Sequence, residues 1–182
     1  EAYVCEAEHV VASVCDNLEE HRKSRAKFRP QPIRTLFIDD CIDRMKDFNA
    51  GGARYGWSII NFAGMINVID SLLAIKQLVF DSKKYTADEL IKLLSENDEA
   101  FAKEAKKLPK SFGKDDPEVN EFAHRLSETV FSFTYEGELY KGLGFLSASI
   151  QFMSQVSAGK NVGATPDGRL AYTPVADGVS PA

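Results

Sequence analysis

Apolar positions over the first two thirds of the chain recur at the spacing of an α-helix. Val10, Val11, Val14 and Leu18 repeat every three to four residues, with Glu19, Glu20, Arg22 and Lys23 crowding the polar end. Pro30 and Pro32 interrupt that pattern. Leu36, Phe37, Cys41, Ile42, Met45 and Phe48 predict a second helix, closed by the stop signal of Asn49 to Gly52. A glycine-aromatic connector, Gly51 to Trp57, leads into a third helix of about five turns. Its Ile66, Ile69, Leu72, Leu73, Leu78 and Val79 make a face wide enough for burial on more than one side.

Thr86 and Glu89 have the spacing of a capping box, in which the hydroxyl accepts from the Glu89 amide while Glu89 reaches back. Leu90, Leu93 and Leu94 follow as a short helix. Residues 98–108 predict another, with Phe101, Ala105 and Leu108 inward and Lys103, Glu104, Lys106 and Lys107 on a solvated face. Asp116 and Pro117 open a long helix, the acid at the N-cap and the proline in the first turn, with Val119, Phe122, Leu126, Val130 and Phe133 as its stripe. After Gly142 the period falls to two. Leu146, Ala148, Ile150 and Phe152 alternate with Ser147, Ser149, Gln151 and Met153, which predicts a strand near residues 145–156. From Ala158 onward glycine, proline and aspartate dominate and no helical period survives.

Composition narrows the class of protein. At 44% hydrophobic and 27% charged, the 182 residues carry enough apolar surface to fold, which argues against disorder. A net charge of −5 does not suit a nucleic-acid or anionic-membrane surface. The greasiest stretch, Asn61 to Phe80, contains Asp70 and Lys76 and falls short of a bilayer span. No charged-then-apolar leader opens the chain, so a cytoplasmic location is expected. Cys5, Cys15 and Cys41 lack a C-x-x-C pair and read as reduced thiols. His9, His21 and His124 are scattered, so no metal is expected; His21 reads as solvated and His124 as half-buried. The start at Glu1 and the ending Ser180-Pro181-Ala182 read as a segment of a longer polypeptide.

The last quarter carries more chemical information. Gly159 to Arg169 packs three glycines, Pro166 and an Asp167/Arg169 pair into one short run. Pro166-Asp167-Gly168 predicts a tight turn, with glycine supplying positive φ. Asp167 can accept from turn amides while Arg169 braces a neighbouring carboxylate or carbonyl. On physics alone such a turn is structural rather than catalytic.

The run resembles the glycyl radical enzymes, the family of pyruvate formate-lyase. The family's later half carries Gly-x-x-x-Gly-[Ala/Asn]-Thr-Pro-Asp-Gly-Arg, reproduced here by Gly159 to Arg169. Its following Pro-Leu-Ala-Asp-Gly-x-Ser-Pro run is matched by Pro174 to Gly178 and Ser180-Pro181. Upstream, Gly51-Gly52-Ala53-Arg54-Tyr55 is similar to a family loop, and Asn67 to Lys76 to its Asn-x-x-Asp-Ser-Leu-x-Ala-Ile-Lys helix. Phe112-Gly113-Lys114-Asp115-Asp116 resembles a further family turn. The ending of the Pro174 run favours the dehydratase, lyase and decarboxylase branch over pyruvate formate-lyase proper.

The resemblance implies an α/β fold: a ten-stranded barrel wrapped in helices, of which residues 1–182 form a mostly helical segment with at least one lumen-lining strand near residues 145–156. In the family one loop stores a radical on a backbone glycine, and another carries a cysteine that becomes a thiyl radical and takes hydrogen from substrate. An S-adenosylmethionine-dependent iron–sulfur activating enzyme installs the glycyl radical and is the implied partner; many members are homodimers. Neither radical residue is found here. Cys5, Cys15 and Cys41 lack the Gly-Cys-x-Glu setting, and Arg-Val-x-Gly-Tyr is absent. The chain is therefore expected to lie between the cysteine loop and the glycyl radical loop and to be inactive alone. The implied parent enzyme belongs to anaerobic metabolism. It cleaves a C–O, C–N, C–S or C–C bond of a small polar substrate, as a dehydratase, lyase or decarboxylase or in a formate acetyltransferase-like reaction.

Alternate residues of a barrel strand face the lumen. Ser147, Ser149, Gln151 and Met153 are expected there, with Ser149 and Gln151 as substrate contacts; the other reading has them satisfying nearby backbone. Tyr55 and Trp57 either reach the lumen or plug their loop. Asp70, inside an apolar helix, requires a partner, for which Arg54 and a backbone amide are the candidates. Asp167, Gly168 and Arg169 are assigned to holding the loop that supports the glycyl region. The rival reading is a non-catalytic, stand-alone helical scaffold or partner protein derived from the family.

Overall fold

The computed structural model describes residues 1–134, 144–149 and 154–181. The chain divides into two compact units, Glu1–Ile60 with Thr129–Ala148, and Asn61–Glu128 with Ser149–Ala182.

The first unit is built on α1 (Ala2–Phe28), which runs to just before Pro30. Its buried residues are Val11 and Cys15, while Val10 and Val14 face water. The helix is where the pattern puts it, but its inward face is turned by one residue. Val10–Val14 and Val11–Cys15 are adjacent i,i+4 rows, and packing rather than periodicity selects between them.

The helix expected over residues 36–48 does not form. A short α2 (Pro32–Leu36) gives way to successive turns, then a 3₁₀ turn at Phe48–Ala50 that packs against α1. Asp40 and Met45 adopt φ of 70° and 49°, left-handed conformations that end a right-handed helix. Two side chains hold this path. The Asp47 carboxylate accepts from the Gln31 amide, the Thr35 hydroxyl and the Asn49 amide, each at 2.8 Å. Asp40 is gripped by Arg54 at 2.6 Å and Arg44 at 3.0 Å. Of the apolar stripe, Cys41 is fully buried, whereas Phe37 and Met45 are 82% and 94% exposed.

Two strands, β1 (Ser58–Asn61) and β2 (Phe145–Ala148), pair in one sheet. Arg22 of α1 donates to the Gly56 carbonyl at 2.9 Å and lies over the Phe145 ring at 5.2 Å, fixing the entry to both strands. β1 was not expected from the pattern. The strand expected over residues 145–156 is shorter in the described residues: after β2 and Ser149 the chain is next described in α7 (Ser154–Gly159), so residues 154–156 are helical. Period-two alternation in a short apolar run does not separate strand from helix. Residues 150–153, and with them Gln151, lie outside the described residues.

The second unit centres on α3 (Met65–Ile75), extended by a wider π-helical turn over Lys76–Asp81 to the expected length. Its buried face includes Ile66, Ile69 and Leu73, and also Asn67 and Asp70. Leu78 packs with Leu90 of α4 (Ala87–Ser95) and Phe101 and Ala105 of α5 (Glu99–Ala105). The Thr86–Glu89 capping box forms as expected, the Thr86 hydroxyl accepting at 3.2 Å and the Glu89 carboxylate at 2.8 Å. Asp98 caps α5 through the Phe101 amide at 2.6 Å. Asp116 accepts from Glu118 and Val119 amides at the start of α6 (Pro117–Ser132). His124, expected half-buried, stands in water on α6 beside Glu128 at 3.4 Å, because Ala123 and Leu126 take the inward positions. Among the described residues no helix is long and apolar enough to cross a membrane.

Candidate site around the Asn67 and Asp70 face

Asn67 and Asp70 sit three residues apart on one face of α3, which places two buried polar side chains side by side in an otherwise apolar surface. Such groups stay buried only when hydrogen-bonded. Asn67 Nδ2 donates to Asp167 Oδ2 at 2.6 Å, and Asn67 Oδ1 accepts from the Ala176 amide at 2.6 Å. Asp70 Oδ1 accepts from the Phe112 amide at 2.7 Å. Of the two partners the sequence offers Asp70, the backbone amide is the one realised, and Arg54 is engaged with Asp40 instead. Burial raises the Asp70 carboxyl above its ordinary range; the Phe112 amide opposes that, Asp167 adds to it and Lys114 reduces it.

The turn at Pro166–Gly168 is closed by Gly168 N donating to Thr165 O and Thr165 N donating to Arg169 O, both at 3.0 Å. Asp167 Oδ1 accepts from the Thr165 hydroxyl and from the Arg169 amide. Gly168 has φ of +89°, and a Cβ there would stand 2.5 Å from the Ala102 carbonyl of α5. Both facts require glycine. Arg169 is 6% exposed and its guanidinium donates to three carbonyls, those of Gly163, Leu170 (3.1 Å) and Thr173 (2.9 Å), so it braces backbone rather than a carboxylate. Its Nε is buried without a partner. Burial lowers the guanidinium and Asp167 opposes that.

Two further close approaches complete the assembly. A Cβ at Gly159 would lie 2.1 Å from the Thr173 carbonyl, and one at Gly113 2.5 Å from Pro181. The α3 face of Asn67 and Asp70, the Phe112 turn, the Asp167 turn and the Pro174–Pro181 run therefore meet at one place. They line a cavity of about 380 Å³ whose polar wall includes Asn67, Asp70, Lys110, Asp167 and Arg169. The Ser149 hydroxyl points at two carbonyls, Phe62 O at 3.4 Å and Gly178 O at 3.5 Å. Ser147, in the first unit, is bonded to the Thr134 hydroxyl and the Phe131 carbonyl. The Tyr55 and Trp57 rings lie tilted against each other with centroids 5.7 Å apart, and they are 70% and 55% exposed in that unit. Among the described residues no cluster of three or more His, Cys, Asp or Glu could hold a metal.

Asn67 opens the helix motif that carries the resemblance, but the sequence assigns it no partner and no role. The available signal is its spacing: a second polar residue three positions before Asp70 on the same apolar face.

The sequence profile of the Pyruvate formate lyase-like family matches residues 1–159. The chain is 34% identical over 160 residues to the trans-4-hydroxy-L-proline dehydratase of Clostridioides difficile, covering 86% of this chain and 20% of that one. It is 36% identical over 165 residues to the isethionate sulfite-lyase of Bilophila wadsworthia, covering 87% and 20%. A solved structure concerned with 1,2-propanediol dehydration in Roseburia inulinivorans superposes with a TM-score of 0.93 at 33% identity, over 100% of this chain and 24% of that one. The chain thus spans about a fifth to a quarter of the length of these relatives. It belongs to the pyruvate formate lyase-like family, the glycyl radical enzymes, on the branch of the dehydratases and lyases.

Proposed function

We propose that residues 1–182 form part of the catalytic polypeptide of a glycyl radical dehydratase or lyase that cleaves a C–O, C–N, C–S or C–C bond of a small polar substrate. The observation that carries this reading is the clamp on α3. Asn67 and Asp70 tie together three loops through buried polar contacts. Burying an amide and a carboxyl is costly, and an apolar face would hold a mere scaffold at least as well. Retention of the polar clamp fits a protein in which loop position matters for chemistry.

In this proposal the thiyl cysteine and the glycyl radical are supplied by loops outside residues 1–182, and an S-adenosylmethionine-dependent activating enzyme installs the radical. The residues described above supply wall and support. β2 is part of a ten-stranded barrel and lines its lumen, and Ser149 and Gln151 contact the substrate. The Asp167–Arg169 turn, pinned by the three carbonyl contacts of Arg169, supports the glycyl loop. A closed, rigid wall serves radical chemistry by excluding water and oxygen from the reacting carbon.

The test is anaerobic activation of the complete polypeptide with its activating enzyme, S-adenosylmethionine and a reductant. A glycyl radical signal in electron paramagnetic resonance, with turnover of trans-4-hydroxy-L-proline, isethionate or 1,2-propanediol, is the expected result. A folded polypeptide that never acquires the radical would establish the rival reading, a non-catalytic scaffold.

A further inference from the structure

We infer that Asn67 is a positioning residue for Ser149, acting through the run Val175–Gly178; the inference rests on the proposed role of Ser149 as a substrate contact. Asn67 Oδ1 holds the Ala176 amide at 2.6 Å in a buried setting. On one side of that amide, Val175 Cβ lies 3.4 Å from where a Cβ of Gly64 would be, at the N-terminus of α3, and the Val175 amide donates to Gln155 O at 3.2 Å. On the other side, Gly178 adopts φ of +58°, and a Cβ there would stand 3.3 Å from the Ser149 carbonyl. The run is therefore pressed between α3 and Ser149.

The hydroxyl of Ser149 reads that spacing. Its two acceptors are Phe62 O, just before α3, and Gly178 O, at the end of the run. Asn67 links the same two pieces of backbone. At 3.4 and 3.5 Å both contacts are longer than an O–H···O bond, which sits near 2.7–2.8 Å. The hydroxyl is thus loosely held and free to turn to a third acceptor, such as an oxygen of a substrate. A few tenths of an ångström less between the two carbonyls would capture it in an ordinary hydrogen bond, and a few tenths more would release it. Asn67 sets that distance without touching substrate.

The experiment is a double-mutant cycle on the complete, activated enzyme, with KM, kcat and glycyl radical content measured together. It uses whichever of trans-4-hydroxy-L-proline, isethionate and 1,2-propanediol is turned over. Ser149→Ala is expected to raise KM about tenfold with radical content within about twofold of the parent. Asn67→Ala should raise KM by a similar factor, and the double variant should be no worse than Ser149→Ala alone, the non-additivity of residues acting through one contact. Unchanged KM in Asn67→Ala, or factors that multiply in the double variant, overturns the inference while leaving the role of Ser149 intact. Unchanged KM in Ser149→Ala overturns the substrate role itself. Should Asn67→Ala yield no activatable protein, Asn67→Ser enters the cycle in its place. Its shorter side chain cannot span to both Asp167 and the Ala176 amide yet leaves a polar group and room for water; a raised KM, non-additive with Ser149→Ala, supports the inference and an unchanged one ends it.

Discussion

Asn67 Nδ2 donates to Asp167 Oδ2 at 2.6 Å, joining positions 100 residues apart in the chain. With its other end on the Ala176 amide, one side-chain amide closes two long loops. Asn67→Ala leaves a carboxylate oxygen and a buried N–H without their partners. Each such orphan costs about 1–3 kcal/mol, so the variant is expected to lose about 2–6 kcal/mol of stability. Urea unfolding at neutral pH measures it; a loss under about 1 kcal/mol would mean that water replaces the amide at little cost.

Three glycines of the Gly159–Gly168 segment should respond to alanine in opposite ways. At Gly159 the new methyl would meet the Thr173 carbonyl at 2.1 Å, and at Gly168 the Ala102 carbonyl at 2.5 Å with φ already left-handed. Both obstacles are backbone, which cannot swing aside as a side chain can. Gly159→Ala and Gly168→Ala are expected to cost at least about 2 kcal/mol each. Gly163 has nothing within 4 Å of its Cβ position. Gly163→Ala should fall within about 0.5 kcal/mol of the parent. Thermal unfolding of the three single variants separates the positions, and equal melting temperatures would refute the packing described here.

Arg169 should not tolerate lysine. The guanidinium reaches Gly163 O, Leu170 O and Thr173 O from one planar head, whereas a compact ammonium one bond nearer the backbone on a flexible stem cannot reproduce that fan. Arg169→Lys keeps the charge but is expected to lose about 1–3 kcal/mol and to loosen residues 163–173. Hydrogen exchange localises the effect: faster exchange at the Gly168 and Tyr172 amides, with α4 unchanged, is the expected pattern.

How much of this was legible in the sequence follows the range of the interactions. The Thr86–Glu89 box and the Asp116 cap are contacts over two or three residues, and both form as the spacing says. The Pro166–Gly168 turn is local too. The stripe from Leu36 to Phe48 reads as helix, yet its path is decided by Asp47 reaching back to Gln31 and by Arg54 reaching Asp40, contacts no periodicity contains. β1 escaped notice because its first ladder partner, the Gly144 carbonyl for the Ser58 amide, is far along the chain. At the site, Asp70 announces itself as a carboxylate on an apolar face and demands a partner. Asn67, uncharged and embedded in the same helix, raises no such alarm, although it makes the longer-range bonds.

Asp70 should make the stability of the protein depend on pH in the direction opposite to an ion-paired acid. Burial lifts its carboxyl above the ordinary value of 3.8, so the folded chain binds the proton more tightly than the unfolded chain does. The stability contributed by that proton is fully present below the ordinary value. It is lost as pH rises through the raised one, because the fold must then keep a charge that has little water around it. Asp167 on one side adds to the penalty and Lys114 relieves part of it. Asp70→Asn keeps an oxygen for the Phe112 amide and removes the charge. The variant and the parent should be similar in stability near pH 3. The variant should become the more stable of the two as pH rises above the ordinary value of 3.8, with the difference levelling once the raised value is passed. Urea midpoints across that range decide the matter. A parent that gains on the variant with rising pH would show that the carboxylate is paired rather than merely buried.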